Sequence, residues 1–178
     1  AKELLSALRK PLYFTTGNHD ARWPDRREAF KKVFRKDRFC FTRDGIRFIG
    51  CCTGPYETIK RATIKEEDLK WLKRKCKGKK PVVVALHYVH GSIYNRAQVD
   101  QALSGSNLVL WLAGHMRFNT VKSEEQYQGL IKISQLENAQ YKLVRISGNE
   151  MSINVVSPRD GTTTPWYSKT LNFKGKKN

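Results

Sequence analysis

The spacing of apolar positions changes character along the chain. Residues 3–8 space their leucines one turn apart and Pro11 closes the segment, so the chain is expected to open inside a helix. Leu12-Tyr13-Phe14-Thr15 reads as a short strand running into Gly17-Asn18-His19-Asp20. Residues 25–36 predict a basic amphipathic helix with Ala29, Phe30, Val33 and Phe34 on its apolar face. Residues 39–41 and 46–51 flank Arg43-Asp44-Gly45 as the arms of a hairpin. Thr63-Ile64-Lys65-Glu66 has the spacing of a capping box, ahead of a helix carrying Leu69, Trp71 and Leu72. That helix ends at 77–81. Pro81-Val82-Val83-Val84-Ala85-Leu86 is a continuous apolar run, as in a strand buried on both faces. A helix near 97–103 and a second buried strand at 108–112 follow.

Beyond His115 the texture is different. Segments 130–136, 141–146, 151–156 and 164–173 alternate with glycine and polar turns, which predicts an antiparallel β region. The first half is therefore α/β and the second half mostly strands. No internal repeat is present. Residues 1–173 form one expected domain, and 174–178 read as a solvated basic tail.

Composition narrows the class. At 39% hydrophobic and 11% aromatic, the chain carries enough apolar material for a packed core. No run approaches the roughly 18 apolar residues of a transmembrane helix, and no secretory segment opens the chain. Cys40, Cys51, Cys52 and Cys76 form no CxxC pair and are too sparse for a disulfide scaffold. Reduced thiols and a cytoplasmic location are expected. The net charge of +18 favours phosphates, nucleic acid or an acidic partner. Arg26, Arg27, Lys31, Lys32, Arg35 and Lys36 read either as a solvated helix face or as a phosphate-backbone track.

The candidate chemistry lies in four histidines, His19, His87, His90 and His115. Three of them, all but His90, follow predicted strands at the carboxyl end, where open α/β sheets bind ligands. A single one could be a satisfied structural residue; three on one edge favour a shared site. The glycines before Asn18 and His115 let the backbone turn so that the next side chain enters the cleft. Imidazole nitrogens and a carboxamide oxygen suit zinc, manganese or iron.

Segment 11–20, ending Gly17-Asn18-His19-Asp20, resembles the GNHD segment of the calcineurin-like metallophosphoesterases. Asp68-Leu69-Lys70-Trp71-Leu72 ahead of residues 82–87 is similar to that family's helix, strand and metal-binding histidine. Leu110-Trp111-Leu112-Ala113-Gly114-His115-Met116-Arg117 resembles its strand and GHxH motif. The resemblance implies an α/β sandwich of two mixed β-sheets flanked by helices, with the site at the strand ends. It implies Asn18, His87 and His115 as ligands of one metal, and His19 as the acid beside the leaving group. The implied activity is hydrolysis of a phosphomonoester or phosphodiester by a metal-bound hydroxide, with two divalent cations (manganese, iron or zinc) in the family.

The departures carry expectations of their own. The family's amino-terminal DxH and GDxxD segments do not occur in these residues, so the chain is expected to begin too late and lack its first strands. An unpaired inner edge would then invite self-association, unless a missing amino-terminal segment covers it. Arg117 stands where the last GHxH histidine would be, and a guanidinium has no lone pair for a metal. One weakly held cation or none is therefore expected, with Arg117 gripping phosphate. Arg22 is a second candidate for phosphate, Trp23 could hold substrate above the site, and Asp20 either orients His19 or caps its turn. His90 is expected to be a loop residue. Of Cys51 and Cys52, one should be buried and the other near the cleft rim. Tyr56 and Tyr94 fall in loops where substrate contacts are common. The alternative function is a degenerate, non-catalytic relative that binds a partner or nucleic acid through its basic surface.

Overall fold

The computed structural model describes residues 7–56, 60–115, 120–122, 130–132, 140–171 and 173. In chain order it begins with helices α1 (Asn18–Ala21) and α2 (Pro24–Phe34). The hairpin β1 (Phe39–Arg43) and β2 (Ile46–Gly50) follows, then helix α3 (Glu66–Cys76). Strand β3 (Pro81–Leu86), a 3₁₀ turn (His90–Ser92), helix α4 (Arg96–Leu103) and strand β4 (Asn107–Ala113) complete the α/β half. The remaining strands are β5 (Thr120–Lys122), β6 (Leu130–Lys132), β7 (Tyr141–Ser147), β8 (Glu150–Ser157) and β9 (Thr162–Thr170).

Two sheets result. The first has the order β1-β2-β3-β4-β6-β5, parallel from β2 to β6 and antiparallel at both edges. The second, β7-β8-β9, is antiparallel. The valine run is central: Val82, Val83 and Val84 are wholly buried, and each contributes about 1.5–3 kcal/mol of transfer free energy. Alternation along β3 sends Val82, Val84 and Leu86 into a core shared with α3 and α4, including Trp71, Leu72, Val99 and Leu103. Val83 joins a second core between the sheets with Val109, Leu110, Met151 and Ile153. A register shift between Val82 and Val83 leaves Val109 unpaired in the β3–β4 ladder, and both Val109 and Leu110 lie in the inter-sheet core. The hairpin turns at Asp44 and Gly45, both at positive φ (49° and 78°), as a two-residue turn with matching twist requires.

Several expectations are corrected. Residues 12–15 join no ladder; they are held by side chains, with Tyr13 stacked on Phe41 at 3.9 Å and Phe14 against Phe34 at 4.2 Å. Thr63 does not cap α3. The helix starts later, at Glu66, with Lys65 as N-cap, and the Thr63 hydroxyl donates to the Arg61 carbonyl instead. Strand β6 belongs to the first sheet, parallel to β4, rather than to the antiparallel region. On α2, Arg27 turns inward to Asp37 at 2.7 Å, so that face is not wholly solvated. The predicted opening helix falls mostly outside the described residues, as do 133–136 of the predicted 130–136 strand and the basic tail. Among the described residues no helix is long and apolar enough to cross a membrane.

Candidate active site

The site is built where two parallel strands end side by side. Leu86 of β3 is in register with Ala113 of β4, and the Gly114 N–H donates to the His87 carbonyl at 3.1 Å. His87 and His115 therefore leave the sheet on the same edge. His115 has φ +68°, a left-handed conformation uncommon outside glycine. Its Nδ1 lies 3.0 Å from His87 Nε2. Asn18, the first residue of α1, completes the group: its Oδ1 lies 2.8 Å from His87 Nε2 and 3.3 Å from His115 Nδ1. Gly17 makes this approach possible, because a Cβ there would come within 3.2 Å of the His87 ring. The Asp20 carboxylate accepts the Gly17 N–H at 2.8 Å and so fixes the turn that presents Asn18.

Burial pushes His87 down to about 4, the charges of His115 and His19 act in the same direction, and Asp20 opposes them. His115 is lowered too, first by burial and then by His19. Both imidazoles are therefore neutral near pH 7 and keep lone pairs for a metal. No choice of tautomers satisfies all three contacts. A protonated ring nitrogen can serve two neighbours, but the remaining pair then faces lone pair to lone pair, or N–H to N–H. A cation between the three atoms removes that conflict. Ligands about 2.1 Å from a divalent ion lie about 3.0 Å apart at right angles and about 3.4 Å apart in a tetrahedron. Separations of 2.8, 3.0 and 3.3 Å are close to those of a shared ion with near-octahedral angles. The donor set fits one divalent cation. Among the described residues no group of three or more His, Cys, Asp or Glu side chains gathers into a metal site; this candidate has two histidines and a carboxamide.

The other singled-out residues are placed as follows. His19 follows Asn18 on α1, is exposed, and receives a long contact on its carbonyl from Arg26 at 3.5 Å. No strand precedes it, contrary to expectation. Arg22 is exposed, with its guanidinium 5.2 Å from the Trp23 ring centre. His90 is not a loop residue: it opens the 3₁₀ turn, is buried, and lies 2.7 Å from the Asp100 carboxylate. Cys51 and Cys52 are both buried, in different cores, so neither reaches the rim. Tyr56 is buried beside Cys52, whereas Tyr94 is 66% exposed. Arg117 lies outside the described residues.

Tyr88 was not singled out by sequence. Its ring lies 4.4 Å from that of His115 and 4.9 Å from that of His87, and its carbonyl accepts from Trp111 Nε1 at 3.3 Å. The available signal was its position directly after a strand-end histidine.

A family model described as calcineurin-like phosphoesterase matches residues 1–116. The fold is similar to that of a dimetal phosphatase from Danio rerio, with a TM-score of 0.71 at 11% identity. The match covers 96% of this chain and 74% of that one. No curated protein matches. Neither finding supports the non-catalytic alternative, and the family's chemistry implies divalent metals. With the matched segment spanning both candidate strand-end histidines and the Asn18 turn, the chain belongs to the calcineurin-like phosphoesterase family.

Proposed function

We propose that this chain hydrolyses a phosphoric ester with a divalent cation held by Asn18, His87 and His115. The observation that carries this reading is their convergence at 2.8–3.3 Å in an arrangement that hydrogen bonds alone cannot satisfy. When bound, the cation supplies Lewis-acid activation of water and charge neutralisation at phosphorus. Asn18 brings a neutral oxygen, and the two depressed imidazoles bring nitrogens that need not lose a proton first. His19 is the proton donor: a ring nitrogen gives its proton to the leaving oxygen as the P–O bond breaks, and its exposure allows reprotonation from solvent. Asp20 holds the turn, so that His19 and Asn18 keep their positions relative to His87. Arg22, exposed one turn further on, offers a two-pronged contact to a non-bridging phosphate oxygen. Arg117, by its place in the motif, is a second phosphate-binding candidate.

The test is hydrolysis of bis(p-nitrophenyl) phosphate and p-nitrophenyl phosphate by the purified chain, with manganese or zinc and after chelation. Activity that follows the cation and disappears in His87→Ala is expected. Activity indifferent to chelation, or retained by His87→Ala, overturns the reading. A preference for the first substrate would identify a phosphodiesterase.

A further inference from the structure

A recess of about 850 Å³ is bounded by Tyr88, Arg61, Tyr94, Arg96 and Gln98. Tyr88 is common to this recess and to the candidate site, since its ring packs against His87 and His115 and the residue also lines the recess. The recess therefore begins one side chain away from the converging atoms.

Also lining the recess is a tyrosine held out into solvent on a fixed support. Tyr94 is 66% exposed, yet its neighbour Ile93 is only 2% exposed. The Tyr94 N–H donates to the Ala62 carbonyl at 2.8 Å. The Asn95 side chain accepts from the Ile64 N–H at 3.1 Å and donates to the Ile64 carbonyl at 2.8 Å. These bonds tie 94–95 to 62–64, so the ring is presented by an anchored segment. The Arg61 guanidinium lies 4.9 Å from the Tyr94 ring centre, and Arg96 opens helix α4 on the same recess. An exposed aromatic ring with one guanidinium at its face and a second arginine lining the same recess suits a flat π-system with polar or anionic edges.

We infer that this recess is a subsite for the organic group of the phosphoester, and that it takes a planar aromatic ring stacked on Tyr94 near Arg61 and Arg96. The inference rests on the phosphoester reading of the neighbouring site and adds the class of group that the ester carries. Nucleobases and simple aryl rings share this chemistry.

Equilibrium binding of methyl phosphate, phenyl phosphate and adenosine 5′-monophosphate, with and without manganese, tests it. Stacking is expected to make both aromatic monoesters bind about tenfold or more tighter than methyl phosphate. Tyr94→Ala should collapse that ratio, Tyr94→Phe should keep it, and Arg61→Ala should reduce it. Because the Tyr94 ring is exposed, the alanine variant is expected to fold, and circular dichroism checks this. Tighter binding of the adenosine ester than of the phenyl ester assigns the subsite to a nucleobase; the reverse assigns it to an aryl group. Equal binding of all three, or a ratio untouched by Tyr94→Ala in folded protein, overturns the inference while leaving cation-dependent hydrolysis standing. Loss of the phosphoesterase reading shows separately, as hydrolysis indifferent to chelation.

Discussion

Two histidine environments sit three residues apart in sequence, and they differ in one partner. His90 is 7% exposed and has a carboxylate: Asp100 Oδ1 at 2.7 Å, with the Trp111 ring packed edge-on at 5.4 Å. His87 is part-buried too, but its closest polar contacts are another imidazole and a carboxamide oxygen. A histidine beside a carboxylate is satisfied whether neutral or charged, and it fastens the turn to α4. His87 is lowered first by burial, and its lone pair is in conflict with the neutral acceptors it meets. Under the proposed function, what separates the structural histidine from the candidate ligand is the carboxylate in direct contact with the first.

Three measurements would break or sharpen this contrast. The largest effect is expected for His19→Ala, which removes the proposed proton donor but none of the converging atoms. The turnover number should fall about 10²–10⁴-fold, while manganese affinity, read by calorimetry, stays within about twofold. Loss of the cation would place His19 among the ligands. Next is His90→Ala, which removes the contact to the Asp100 carboxylate and the edge-on packing against Trp111. It should cost about 1.5–3 kcal/mol of stability in urea unfolding, the usual worth of a hydrogen bond to a charged group. The same variant should leave manganese affinity unchanged, whereas His87→Ala should weaken it beyond the 10–100-fold typical of second-shell losses. If both variants lose the metal alike, the distinction between the two environments is wrong. The smallest effect concerns the thiols. Burial pushes Cys76 up to about 12 and Cys51 well above its usual value. Alkylation of native protein near pH 8 should therefore mark the half-buried Cys40 first, and mass spectrometry of partial digests reads that order.

Much of this arrangement was legible in the sequence because it depends on local pattern. The valine run, the Asp44-Gly45 turn and the strand leading to Gly114-His115 each follow from residues adjacent in the chain. Two of the three converging side chains follow strands that end on one sheet edge, so parallel pairing of β3 and β4 was enough to bring His87 and His115 together. What was missed depends on partners distant in sequence. Residues 12–15 have strand-like composition but are held by the rings of Phe41 and Phe34. Strand β6 is short, and its alternation says nothing of the parallel partner it takes. Thr63 has the right spacing for a cap, but the Asn95 side chain already takes both backbone groups of Ile64, and the helix starts later. His90 looked like a loop residue because Asp100, ten positions on, could not be seen beside it.

The left-handed backbone at His115 carries a consequence for selection and design. A side chain at φ +68° costs the fold of order 1–2 kcal/mol that glycine would not. His115→Gly is therefore a change that a search for thermal stability would favour, although it deletes a donor atom. A sequence optimised only for folding would erase the site at this position first. With the cation held as proposed, firmness of the fold and hold on that cation trade against each other at a single pair of dihedral angles.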